Sequence, residues 1–219
     1  MMRHAFAAAA LLAAAPLAAQ STTQDDISAR YDRALAAGYK ALFLCSAIAN
    51  AERNGTMRTP ESVAAWELTG IQSPLDAVVH DLPYTIDRDS DGEIRQVVVE
   101  WAGDMPPRIA VHDSRRGCSQ LPIGGAPHPI RTKRPRINVE HGDPVVPVGA
   151  LSASVERAFG ETHGNGTRTT AVLVQRGGAV LGERYAPGFG PAVPQRTWSV
   201  AKSIAATLVG AAVLEGHDQ

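Results

Sequence analysis

Residues 121–148 read LPIGGAPHPIRTKRPRINVEHGDPVVPV, a stretch holding six prolines. Each proline fixes its own φ, lacks an N–H donor and pushes the preceding residue toward extended backbone. Neither a helix nor an interior strand runs through such a segment. Residues 121–150 therefore read as a Pro-rich linker or an extended strap on the surface. The remaining chain must fold on either side of it, as a first unit over residues 20–120 and a second over residues 151–219.

Ahead of the first unit, MMRHAFAAAALLAAAPLAAQ combines an early positive charge at Arg3, an apolar run and small residues at Ala18 and Ala19. This is the layout of a secretory signal peptide over residues 1–19. The run is shorter than the ~20 apolar residues that a spanning helix needs. The expectation is an exported protein, periplasmic or secreted, with no membrane span after cleavage. Cys45 and Cys118, the two cysteines of the chain, would then meet an oxidising compartment, where a pair commonly bonds. Two buried free thiols are the alternative. A bridge closing a loop of roughly 70 residues contributes ~4 kcal/mol by loop entropy, less any strain.

Within the first unit, Ile27, Tyr31, Leu35, Gly38, Leu42, Cys45 and Ala49 recur at intervals of three and four, which predicts the buried face of a long helix. TPESVAAWELTGI offers Thr59 as N-cap, Pro60 at the first helical position, Glu61 in the first turn and Gly70 as the stop. From Tyr84 the pattern becomes β, with YTI and IRQVVVEWA flanking DRDSDGE, then PRIAVHD before Cys118. Asp87, Asp89, Asp91 and Gly92 match the opening of a calcium-binding loop, but Val98 stands where the bidentate glutamate belongs. Strands rather than helices flank it, so it reads as an acidic hairpin turn.

Charge narrows the function classes. With 21 basic and 22 acidic residues the formal net charge is −1, giving no general electrostatic case for nucleic acid or an anionic membrane surface. The basic cluster RTKRPR, from Arg131 to Arg136, lacks interleaved aromatics and reads as solvated linker. The histidines form no HxxxH or HxH group, which leaves no argument for a metal. Gly-x-Ser-x-Gly and Gly-rich phosphate loops are absent from the sequence. Two sequons, at Asn54 and Asn165, are equally good Asn-Gly turns.

The second unit opens with a brief helix, LSASVERAFGE, and continues with TTAVLVQRGGAVLGERYA, whose Gly177-Gly178 predicts a tight hairpin. The irregular PGFGPAVPQR leads to TWSVAKSIAATLVGAAVLEG, a helix apolar nearly all round and so expected in a domain core. Ser199 and Lys202, three apart, share one face of it. A serine hydroxyl attacks a carbonyl only when a neighbour takes its proton, and a lysine does so only if burial or nearby positive charge lowers its pKa. Thr197 as N-cap would put Ser199 in the first turn, its backbone N–H free as an oxyanion donor. The other reading is a capping serine and a surface lysine.

The stretch AVLVQRGGAVLGERYAPGFGPAVPQRTWSVAKSIAATLVGAAVLEG, residues 171–216, resembles the opening of serine hydrolases of the β-lactamase and penicillin-binding family. It is most like the branch of class C β-lactamases, related esterases and 6-aminohexanoate-oligomer hydrolases. The fold expected is α+β: the patterns over residues 20–120 give a small disulfide-stapled helix and antiparallel-sheet unit, and the resemblance implies that it is followed by the start of a β-lactamase/transpeptidase-like domain comprising a hairpin and the nucleophile helix. It implies Ser199 as acylated nucleophile and Lys202 as the lysine assisting proton transfer, with no metal or organic cofactor. The implied partner is a small-molecule amide, β-lactam or ester. GYKALFLCSAIA and RRGCSQLPIG also look like the leader region of exported members, which supports the Cys45–Cys118 pair.

The family also carries Tyr-x-Asn or Ser-x-Asn, and Lys-Thr-Gly or His-x-Gly, after the nucleophile. Neither occurs in the seventeen residues that follow Lys202, and none of the four tyrosines, at 31, 39, 84 and 185, has asparagine two places on. The expectation is the N-terminal part of a longer hydrolase, with little activity by itself. A non-catalytic exported binding or cell-envelope protein that keeps the fold is the alternative.

Overall fold

In the computed structural model, residues 3–127 and 142–217 are described, with side chains from residue 23 onward. The basic cluster at residues 131–136 and His128 and His141 lie outside the described residues. The architecture is mixed α+β. A continuous helix α1, Arg3–Arg53, is followed by the short helices α2, Pro60–Trp66, and α3, Leu75–Val78. A four-stranded antiparallel meander comes next: β1, Tyr84–Arg88; β2, Ile94–Val99; β3, Arg108–Asp113; and β4, Gly117–Gln120, in that spatial order. Further along the chain lie α4, Gly149–Phe159, the hairpin of β5, Ala171–Arg176, and β6, Ala179–Tyr185, and finally α5, Val200–Leu214.

Helix α1 runs through Ala19 without a break, so the expected signal boundary falls inside one apolar, alanine-rich helix; alanine is the best helix former. Its Thr23–Arg53 portion is long and apolar enough to cross a membrane by length and composition, yet 67% of the apolar window is buried within the fold. The expected stripe is buried only in its later part, because residues 23–31 are exposed on every side of the helix and burial begins at Ala34. Gly38, Cys45 and Ala49 are buried as expected, whereas Ile27, Tyr31 and Leu35 are exposed at 56%, 63% and 36%. The residues that meet the sheet are Ala37, Ala41, Leu44, Cys45 and Ile48, against Val97, Val99 and Ala110. The small Ala36, Ala37 and Ala41 share this core with the larger Leu44 and Ile48.

The disulfide Cys45–Cys118 ties α1 to β4, with Cα atoms 6.0 Å apart and a sequence separation of 73. Lys40 on the same helix is buried and donates to the carbonyls of His80 and Leu82 at 2.9 and 2.6 Å, with its Nζ 5.0 Å from the Tyr84 ring centre. Desolvation by burial lowers its pKa, opposed by the nearby Asp81. Thr59 caps α2 as expected, its hydroxyl accepting from the Ser62 N–H at 3.2 Å. The acidic turn is closed by Asp89, whose Oδ1 accepts from the N–H groups of Asp91 and Glu93. Sequence reading missed α3 and β4, both of four residues, too short to show a period.

Gly177 and Gly178, at φ 55° and 83°, form the tight turn of the β5–β6 hairpin. The segment leading into α4, residues 142–148, lies against β6 at Val145: the Glu183 N–H donates to the Val145 carbonyl at 2.7 Å, and the Val145 N–H returns to Glu183 Oε1 at 3.0 Å. A β-carbon at Gly182 would sit 2.9 Å from Pro147 Cα, so glycine is what admits this segment. Tyr185 donates to Glu183 at 2.5 Å. This bond and the Val145 N–H lower the Glu183 pKa. Burial, and then the same bond, push the Tyr185 phenol up to about 12.

Two outcomes follow from these contacts. A thiol assay on the native folded protein should find no titratable cysteine, and Cys45→Ala with Cys118→Ala should lower unfolding free energy by about 4 kcal/mol in urea; two reactive thiols in the folded protein would remove the staple. A raised folded-state pKa gives stability that is present below the usual tyrosine value of 10.0 and lost as pH climbs toward about 12. Alkaline absorbance titration should show one tyrosine ionising late, and Tyr185→Phe should abolish that step; uniform ionisation near 10.0 in the parent protein would contradict the bond.

Candidate active site

The loop at residues 186–198 leaves β6 and crosses to the first unit before it enters α5. The crossing is organised by Arg58, 3% exposed, and Glu67, 4% exposed, at the two ends of α2. Arg58 Nη1 and Nη2 donate to the two Glu67 carboxylate oxygens at 3.0 and 2.5 Å. Nε donates to Ser62 Oγ at 3.0 Å, Nη2 to the Ser62 carbonyl at 3.3 Å, and Nη1 to the Pro194 carbonyl at 3.0 Å. These bonds match the five donors of a guanidinium. A buried charge so satisfied is tolerated, whereas removing one partner of such a pair costs about 3–5 kcal/mol.

Further contacts extend the seam. Phe189 meets Trp66 edge-on at 5.0 Å and lies 5.1 Å from the Arg58 guanidinium. Arg168, just ahead of β5, stacks 4.3 Å over Trp66 and donates to the Ala65 carbonyl at 2.6 Å. The Thr56 hydroxyl, 3.1 Å from the Ala51 carbonyl, shares its proton with the Ala192 carbonyl at 3.4 Å. Arg196 reaches back to the end of α2, donating to the carbonyls of Glu67 and Thr69. Burial lowers the Arg196 pKa, opposed by Glu67 and Tyr39. A cleft of about 100 Å³ lies along this seam, lined in part by Asn50, Glu67 and Arg196.

Two residues beyond Arg196, Trp198 has φ 46°. Among the described residues it is the one non-glycine residue in the left-handed region, where a bulky side chain is strained by about 1–3 kcal/mol. Such a conformation persists when its surroundings hold it. Here the Arg196 guanidinium stacks 4.2 Å over the Trp198 ring while bonded to α2. The strained residue stands immediately before Ser199.

Ser199 itself is the N-cap of α5, with helical backbone angles and no side-chain capping bond. The sequence had put the cap at Thr197. In the structure the N–H groups of Val200, Ala201 and Lys202 turn back to the carbonyls of Thr197, Trp198 and Ser199 at 3.0, 3.2 and 3.0 Å. Among the described residues the Ser199 N–H meets no acceptor. Lys202 follows one turn later and, like Ser199, is exposed.

The burial expected of α5 is absent. Its fifteen residues are exposed apart from half-buried Ala212, with Ile204, Leu208, Val209 and Leu214 open at 52%, 66%, 63% and 89%. The helix is apolar all round as expected, but no described element covers it. The chain thus brings Ser199 and Lys202 onto one turn of helix without enclosing them. Sequence reasoning overlooked Arg58, Glu67 and Arg196; their signal was weak, since charged residues beside a capped helix are ordinary surface composition. No family model, no curated protein and no solved structure matches this chain.

Proposed function

We propose that the chain carries the acylation apparatus of an exported serine hydrolase related to the β-lactamase and penicillin-binding family, acting on an amide, β-lactam or ester. The observation that carries this reading is the junction at Ser199: a left-handed Trp198, a serine at the helix head whose N–H meets no acceptor among the described residues, and Lys202 one turn on. Export is supported by the apolar N-terminal helix and the disulfide.

In this mechanism neutral Lys202 takes the Ser199 Oγ proton as Oγ bonds to the substrate carbonyl carbon. The Ser199 N–H and the positive end of α5 stabilise the oxyanion. Collapse breaks the bond to the leaving group, which takes the proton back from Lys202; water then releases the acyl group. Neutral lysine at physiological pH requires desolvation. The apolar surface of α5 supports a reactive form in which further polypeptide of the hydrolase domain covers that helix. A non-catalytic exported binding protein is the second reading, favoured by the exposure of both Ser199 and Lys202.

A fluorophosphonate or penicillin probe applied to the full protein from its native source, with adduct mapping by mass spectrometry, separates the two. One adduct at Ser199 is expected, lost in Ser199→Ala and formed on the order of 100-fold more slowly in Lys202→Met. Labelling at another residue, or undiminished labelling of Ser199→Ala, overturns the assignment.

A further inference from the structure

We propose that Arg58, Glu67 and Arg196 are positioning residues for Ser199, through which the disulfide-stapled first unit holds the 186–198 loop and fixes how the serine is presented at the head of α5. The inference rests on the reading of Ser199 as the nucleophile. It gives the first unit a role in the chemistry of the second.

The grip spans the loop. Ala192 and Pro194 offer their carbonyls to Thr56 and Arg58, and Phe189 packs against Trp66. Gln195 accepts from the Thr170 hydroxyl just ahead of β5, so the loop is tied to its own hairpin as well. Arg196 is the last anchored residue before the strained turn, bonded to α2 on one side and stacked on Trp198 on the other. Its partners are backbone carbonyls of Glu67 and Thr69, whose positions depend on where Glu67 is held by Arg58. A line of direct contacts thus runs from a buried ion pair to the residue preceding Ser199. The left-handed Trp198 would relax toward an ordinary conformation without an outside hold, and that relaxation rotates the peptide plane carrying the Ser199 N–H. A displacement of about 1 Å in a reacting group is enough to slow a positioned reaction on the order of 100-fold.

Arg58→Lys tests the buried end, and Arg196→Met tests the half-buried end nearer Ser199, where loss of the side chain leaves the Arg58–Glu67 pair intact. Two readouts are taken on the full protein: chymotryptic cleavage after Phe189 and Trp198 under native conditions, and Ser199 acylation by a fluorophosphonate probe across probe concentration. For Arg196→Met the expected result is at least ~10-fold faster cleavage together with a ~10-fold or greater fall in the maximal acylation rate, at unchanged half-saturating probe concentration. Thermal unfolding of the first unit should not move, and Arg196→Lys should recover part of the rate. Cleavage and acylation both at parent values overturn the proposal. Faster cleavage with an unchanged maximal rate also overturns it, since the loop would then be held for stability alone. If the parent protein is never acylated at Ser199, the nucleophile reading fails and the positioning role with it; cleavage then reports the grip on the loop by itself.

Discussion

A guanidinium buried with each of its donors occupied holds the two halves of this chain in register. Arg58 spends most of its bonds within α2 and on Glu67, and one on the Pro194 carbonyl of the other unit. Because the ion pair is closed off from water, its geometry is enforced: a displaced loop would leave a buried donor without an acceptor, which costs more than the bond itself contributes. The Phe189 and Trp66 rings, with Arg58 and Arg168 stacked against them, add contacts along the same seam. The 186–198 loop therefore takes its shape from its contacts with α2 and Arg58 more than from its own irregular, proline-rich sequence.

The first unit is suited to that role because it is held at several independent points. Apolar residues on α1 seat the helix on the meander, the disulfide joins α1 to β4, and Lys40 fastens α1 to the segment leading into β1. The second unit, by contrast, is a two-stranded hairpin with a short helix and the 142–148 segment along one edge. An isolated hairpin is marginal in water. Its anchoring to α2 through Arg168 and the 186–198 loop supplies order that its own core does not.

Much of the scaffold was legible in the sequence because its signals are local. The Thr59-Pro60 helix start, the Gly177-Gly178 turn and the alternating strands depend on neighbours a few residues apart, and all appear where expected. The disulfide followed from a pair of cysteines behind an apolar N-terminal segment. What stayed hidden is long-range. How far along α1 the core reaches is set by the elements packed against it and not by the period of the helix, so Ile27 and Tyr31, within the exposed residues 23–31, and Leu35 misled as core candidates. The Ser199–Lys202 pair was visible as a spacing, while its supports, Arg58, Glu67 and Arg196, come from positions 127 to 136 residues apart and carry no periodic mark. The strain at Trp198 had no signal in residue type at all. Helix α5 shows the converse: its apolar pattern was read correctly, but an apolar pattern states a need for burial and says nothing of what provides it.

The central claim is that the 186–198 loop belongs energetically to the first unit. Native-state hydrogen exchange on the unmodified protein tests it most directly. The Phe189 and Val193 amides, which close turns onto Ala186 and Gly190, should exchange with protection and urea dependence matching the amides of α2, because loop and helix open together. Free exchange of those loop amides while α2 stays protected would contradict the account, for the seam would then be a contact that the loop makes and leaves without consequence.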